Sequence, residues 1–526
     1  MTARHYDVVV LGRSIGGLAA AALLARREFR VLVLGQGQAA LTYPVEGHPL
    51  CRRTFTMLSA TSPSFRRIVQ ELAQSQRFRR TTEPLDPMFS VLAPSWRLEV
   101  PPDAELFARE IDREFPEIRQ LVDELYASFA EVNGAADGAF EKDAVWPPGS
   151  LWERLETGRI AGALPLTEST PADLLGKFPQ THPFRDVVAL PVEFATHLDV
   201  PASRMPAFAL ARLHGAWTRG IYSLRRSELD LTDFFIDRIE AHGGACRPDG
   251  RATQLIVQRG RVTGVLEDGE DQPTGAGSVI SCFSGETLAD LAHGEGVTRK
   301  AKENWPRLTA TAGRFVVSLI VDRRAVPDPL PVESFLVPRA PDPRRPVVHL
   351  QRLDRRLYAP NHDQDEGGAR TALLVAEILL PSRGALTLWE GREAVLTTLR
   401  EHLPFLDEHL VVVDSPHDGL PAWTYTRDGN RLVRREIDRI HLRGVRPGAE
   451  AMEWKWTAEP TTLFGLAAEP VRGPIPGTYL VGSTVLPALG QEGELLAAWG
   501  AAKLITKGDR TRQKMRRQMW TKIETG

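Results

Sequence analysis

Cysteine is scarce in this chain: Cys51, Cys246 and Cys282 are its three thiols among 526 residues, widely spaced and without a Cys-x-x-Cys pair. That excludes a disulfide framework and points to free thiols in a reducing compartment. The 13 histidines are scattered without metal-ligand spacing, so no metal site is expected. An excess of one charge is also missing. The 65 Lys and Arg face 67 Asp and Glu, a formal net charge of -2, which argues against general nucleic-acid binding. No apolar run approaches the roughly 20 residues of a membrane span. The leader before the first strand is short and polar and has no signal-peptide core. A cytoplasmic protein is therefore expected. The sequence shows no internal repeat, no low-complexity segment, no Ser/His/Asp signature and no obvious carboxylate pair.

What is present is ordinary globular composition, 42% hydrophobic and 25% charged. The length suffices for a large core divided into more than one lobe. The most informative stretch is Gly12-Arg13-Ser14-Ile15-Gly16-Gly17. It follows the apolar run Val8-Val9-Val10-Leu11 and opens an Ala/Leu-rich helix from Leu18 to Arg26. A second strand, Arg30 to Leu34, comes next. Strand, glycine turn and helix in this order are the context of a dinucleotide-binding fingerprint. Gly12 permits the tight turn, Gly17 allows close helix–strand packing, and the amides at the helix start would face a pyrophosphate. Two positions depart from the usual pattern. Ser14 replaces the middle glycine, and its hydroxyl can itself donate to a phosphate. Gly35 replaces the acid that ends the second strand and holds the ribose, leaving Gln36 to accept one hydrogen bond there.

Further along, Thr42 to Pro63 is polar and proline-containing, and Ser64 to Gln74 has helical patterning. A short ribbon spans Met88 to Val100, and Asp103 is placed to cap a helix through Phe115. The region from Pro147 to Gly220 reads as a helical cap. Leu231 to His242 is an amphipathic helix stopped by Gly243-Gly244. Ala252 to Gln258 and Arg261 to Glu267 form a hairpin about Arg259-Gly260, with a short strand at Ser278 to Ser281. Gly313 to Asp322, Val347 to Leu353 and Thr371 to Leu380 suit an antiparallel sheet, and Leu386 to Leu403 a helix. A strand at Thr478 to Gly482 and a helix from Glu494 to Ile505 close the pattern. The expected division is a cofactor domain in three parts (1–90, 221–300, 461–508), a helical cap (91–220), a substrate domain (301–460) and a basic tail (509–526).

Four segments in this order resemble the bacterial phytoene desaturase family, a branch of the flavin-dependent amine-oxidase-like superfamily. They are the N-terminal fingerprint; Leu85-Asp86-Pro87 with Trp96-Arg97-Leu98; Ala241 to Ala245 with the paired strands and Val279 to Cys282; and Gly477 to Ser483 followed by Pro487, Gly490, Gly493 and Ala501-Ala502. The resemblance implies an α/β fold, with a discontinuous Rossmann-like FAD-binding domain beside a substrate domain of antiparallel sheet and helical cap. It places FAD against Gly12, Ser14, Ile15, Gly16, Gly17, Gln36, Ala252, Gly482, Ser483, Pro487, Gly490 and Gly493. The family's Gly-Gly-Arg has only Arg52-Arg53 as a loose substitute, and Leu224 to Ser227 replaces a glycine pair.

The implied activity is hydride transfer from a hydrophobic, polyene or lipid-like substrate to the flavin. The rival reading is a non-catalytic relative that has lost flavin and binds lipid or protein, as GDP-dissociation inhibitors do. A flavin monooxygenase is a third, suggested by Ser14. Glu492 either orients substrate or is a solvated helix-start carboxylate. Cys282 is either an attachment point for flavin or an inert buried thiol, and Trp454 and Trp456 line a channel or pack in the core. Lys507, Arg510, Arg512, Lys514, Arg516, Arg517 and Lys522, interleaved with Met515, Met519, Trp520 and Ile523, form either a membrane-surface helix or a solvated tail.

Overall fold

The computed structural model of the chain describes residues 5–340, 342–354, 371–429 and 431–509. The tail from Arg510 onward, to which the membrane-surface expectation applies, lies outside the described residues. The chain begins with β1 (His5–Leu11), α1 (Ile15–Arg26) and β2 (Val31–Leu34). Val8 to Leu11 and Val31 to Leu34 are almost wholly buried, because both strands run parallel inside a sheet covered on its faces. The sheet has seven strands in the order Ala252–Gln258, Arg261–Glu267, Thr274–Ser281, β1, β2 and Ala245–Arg247, with Thr478–Leu480 paired to Thr274–Ser281. Segments far apart in sequence thus meet in one register, Val10 beside Ile280 and Ile280 beside Tyr479.

A second sheet of ten strands is mostly antiparallel. Its centre is the long strand Arg307–Asp322, paired to Thr371–Pro381, Leu410–Asp414 and Glu453–Glu459. The ribbon Phe89–Leu92 and Arg97–Val100 forms its far edge. A helical layer between residues 104 and 218 packs beside the sheets. There, Asp103 accepts hydrogen bonds from the Glu105 and Leu106 amides and caps the first helix. The result is a mixed α/β fold with one largely parallel and one largely antiparallel sheet.

Two local readings change. The polar stretch after β2 contains a hairpin, Thr42–Val45 with His48–Cys51. Glu46 and Gly47 both take positive φ, 47° and 79°, as a two-residue hairpin turn requires. Pro44 and Pro49 masked the alternation, yet Tyr43, Val45 and Leu50 are buried. The closing helix starts at Gly490, four residues before the expected Glu494, and runs to Lys507.

Candidate functional site

The glycine turn takes the shape its sequence requires. Gly12 has φ +99°, and Ser14 caps α1 by accepting from the Gly17 amide at 3.2 Å. A Cβ on Gly16 would lie 2.2 Å from the Val481 carbonyl oxygen, and one on Gly17 would lie 2.2 Å from Cys282 Sγ. Both glycines therefore let α1 sit close to the end of Thr478–Leu480 and to the Cys282 loop. Gly482 and Gly493 pack in the same way, on the Cys282 and Leu486 carbonyls, and Gly490, in positive φ, packs on that of Ala195. Pro487 accepts the His197 amide at 2.9 Å.

Ser14, Ile15, Gln36 and Ser483 open onto a cavity of about 610 Å3. Arg53, Thr54, Phe194, His197, Cys282, Arg314, Glu377, Trp454, Trp456 and Glu494 also line it. Gly12, Gly16, Gly17, Ala252, Gly482, Pro487, Gly490 and Gly493 shape its support without lining it.

Two backbone donors at the turn already have protein partners. Arg13 N–H donates to Gln38 Oε1 at 2.6 Å, and Gly16 N–H to Glu494 Oε2 at 3.3 Å. Gln36, expected at a ribose, is turned back. Its Nε2 donates to the Ala252 carbonyl at 2.6 Å, and its Oε1 accepts from the Ala252 amide at 2.9 Å. Nor can Gly35 carry the missing acid, since a Cβ there would meet the Pro248 carbonyl oxygen at 1.8 Å.

Deeper in the cavity the polar groups are charged and pair with one another. Arg53 pairs with Glu228 and lies 3.8 Å from Glu453. Arg314 binds Glu377 at 2.5 Å, and Glu377 also accepts from Thr54. Burial would raise the Glu453 carboxyl, but the Arg314 and Arg53 guanidinium groups outweigh it and hold that group below the usual range. His197 sits between two carboxylates, with Nδ1 3.6 Å from Glu453 and Nε2 3.3 Å from Glu494. It is 6% exposed, and neither ring nitrogen has a well-directed hydrogen bond.

Glu492 neither touches the cavity nor faces solvent. It binds Arg212 twice, at 2.6 and 2.7 Å, and accepts from Ser62. Burial favours its neutral form, yet the Arg212 charge keeps it below the ordinary carboxylate value. Cys282 lines the cavity, and burial pushes its thiol up to about 11 against the opposing hydrogen bonds from Ser14. Burial there favours the neutral thiol over the thiolate. Among the described residues no cluster of three or more His, Cys, Asp or Glu could hold a metal, and no helix is long and apolar enough to cross a membrane.

Sequence reasoning missed His197, Glu494, Arg314 and Glu377. His197 lies in a motif-free segment, and the two residues of the Arg314–Glu377 pair are 63 residues apart on neighbouring strands. Glu494 did carry a signal, an acid directly after Gly493 in the closing glycine segment.

No family profile matches the chain, and no curated protein matches it. Its structure is similar to that of an oxidoreductase from Methanosarcina mazei, at 14% identity and TM-score 0.57, covering 94% of this chain and 99% of that one. A putrescine oxidase redesigned in cofactor binding matches at 14% identity and TM-score 0.53, over 96% and 99%. A Rab GDI from Plasmodium falciparum matches at 10% identity and TM-score 0.50, over 95% and 98%. The likeness establishes a shared fold, and function has to be argued from the site.

A dinucleotide cofactor fits this site in shape. The turn at the start of the buried α1 opens onto the cavity, which Ser14, Ile15, Ser483 and Thr484 help to line. The polar match is incomplete at Gly16 and Gln36, where protein groups hold the positions a phosphate and a ribose would use.

Proposed function

We propose that the chain is an oxidoreductase that binds FAD non-covalently in this cavity. The observation that carries the reading is the glycine turn at the N-terminus of a buried helix, opening directly onto a cavity of about 610 Å3 edged by Ser483 and Thr484 from the closing segment. Ser14, Ile15, Ser483 and Thr484 would hold the cofactor, which when bound accepts a hydride. The putrescine oxidase and the Methanosarcina mazei oxidoreductase support this reading through their shared fold.

The remaining work falls to the chain's own residues. Trp454, Trp456 and Phe194 supply apolar wall, which suits a substrate with a hydrophobic body. Arg53, Arg314 and their carboxylate partners lie on the same wall and suit one polar or charged end on that substrate. His197, buried and without a well-directed hydrogen bond, is placed to hold a proton at Nε2.

The test is a visible spectrum of the purified protein after incubation with FAD and removal of the excess. Flavin bands that denaturation releases are expected. Protein that retains no flavin would overturn the reading and favour the non-catalytic relative.

A further inference from the structure

We propose that Glu494 is an internal anion that locks the cofactor turn and must leave it for a dinucleotide to bind; the inference rests on the FAD reading above. The N-terminus of α1 is the positive end of a buried helix, and its first turn contains no acidic residue of its own. The closing helix supplies one. Glu494 Oε2 accepts from the Gly16 amide at 3.3 Å, in a carboxylate that is only 7% exposed. Gly16 makes the reach possible, because a Cβ there would lie 3.0 Å from the Glu494 carbonyl oxygen and 3.2 Å from its Cβ.

A phosphate and a carboxylate seek the same donor and repel each other. Two neighbouring donors are occupied as well. The Arg13 amide is taken by Gln38 and the Gly17 amide by Ser14. Gln36 is closed in the same sense, with both ends of its carboxamide on the Ala252 backbone.

The lock has somewhere to go. Glu494 Oε1 already lies 3.3 Å from His197 Nε2, whose ring has no well-directed hydrogen bond. A small rotation toward His197 releases Gly16 while keeping the buried carboxylate paired. Leaving it unpaired would be costly. Cofactor entry is thereby tied to the group lining the inner cavity.

The experiment titrates FAD, and separately ADP, into the wild-type chain and into Glu494→Gln and Glu494→Ala, reading flavin fluorescence for FAD and calorimetry for ADP. Glutamine keeps the size and an acceptor for Gly16 but removes the charge, so it remains informative where alanine fails to fold. The expected result is a dissociation constant lower by about tenfold for alanine, and by a smaller factor for glutamine, with both ligands. Tighter ADP binding in the variants with no FAD uptake by any form supports the lock and overturns the FAD reading. Equal FAD affinity across all three overturns the lock and keeps the FAD reading. No binding of either ligand to any form overturns both.

Discussion

The two ends of the cavity satisfy their polar groups in opposite ways. At the turn, main-chain amides are capped by neutral side chains and one carboxylate: Gln38 on Arg13, Ser14 on Gly17, Glu494 on Gly16. At the inner end, charged side chains pair with each other, Arg53 with Glu228 and Arg314 with Glu377. Neutral caps are inexpensive to displace, because each contributes only about 1 kcal/mol net. Buried ion pairs are not, because removing one partner strands the other. The turn is therefore the adjustable end and the inner wall the rigid one, and His197 and Glu494 join them.

The largest effect expected from breaking this arrangement lies beneath the closing helix. Arg212→Met should cost about 3–5 kcal/mol, measured by urea unfolding, because it leaves Glu492 buried without its partner. The pH dependence should also change sign. In the wild type the folded Glu492 carboxyl lies below its ordinary 4.5, so its stabilisation is full above that value and is lost as pH falls through the lowered one. Without Arg212, burial opposes only the Ser62 hydrogen bond and the Arg219 charge and should raise the group, so acidification toward its ordinary 4.5 should favour the folded variant. An unchanged acid limb would show that Glu492 is not held by Arg212.

Next in size is Gly35→Glu, which restores the acid usual at the end of β2. It should destabilise by about 1–3 kcal/mol instead of improving cofactor binding, because its Cβ meets the Pro248 carbonyl oxygen. A variant that melts normally and binds FAD more tightly would mean that the segment after β2 yields readily.

A smaller effect concerns Lys455, which lies between the cavity-lining Trp454 and Trp456 but does not itself line the cavity. Lys455 is 2% exposed, donates to the Glu193 carbonyl at 2.5 Å, and is pushed down by burial from 10.5 to about 7. Between those two values the unfolded chain holds a proton that the folded chain does not. Wild-type stability should therefore fall as pH drops through that window. Lys455→Met should remove the slope and raise the melting temperature by a few degrees near pH 8, as differential scanning calorimetry would read. A slope retained in the variant would place its origin in another group.

The regular elements of the molecule were the most legible in its sequence. The β1–turn–α1 unit, the hairpin of Ala252–Gln258 with Arg261–Glu267 and the Asp103 cap follow from local periodicity and turn chemistry. The hairpin of Thr42–Val45 with His48–Cys51 was hidden, because its prolines break the alternation a strand normally shows. At the site, the glycines were readable but their partners were not. Gly16 meets a carboxylate 478 residues further along the chain, which no local pattern specifies. Gln36 was legible as a polar group at the end of β2. Its backbone, at φ 53°, accompanies a side chain bonded to Ala252. Gly482 and Gly493 suggested backbone approach to a ligand, whereas the same small size serves close packing on Cys282 and Leu486.

The most direct measurement of the central claim is a crystal structure of the chain grown with FAD, read at Gly16. The expected result is a phosphate oxygen on the Gly16 amide and the Glu494 carboxylate moved onto His197 Nε2. FAD bound in the cavity with Glu494 still on Gly16 would contradict it.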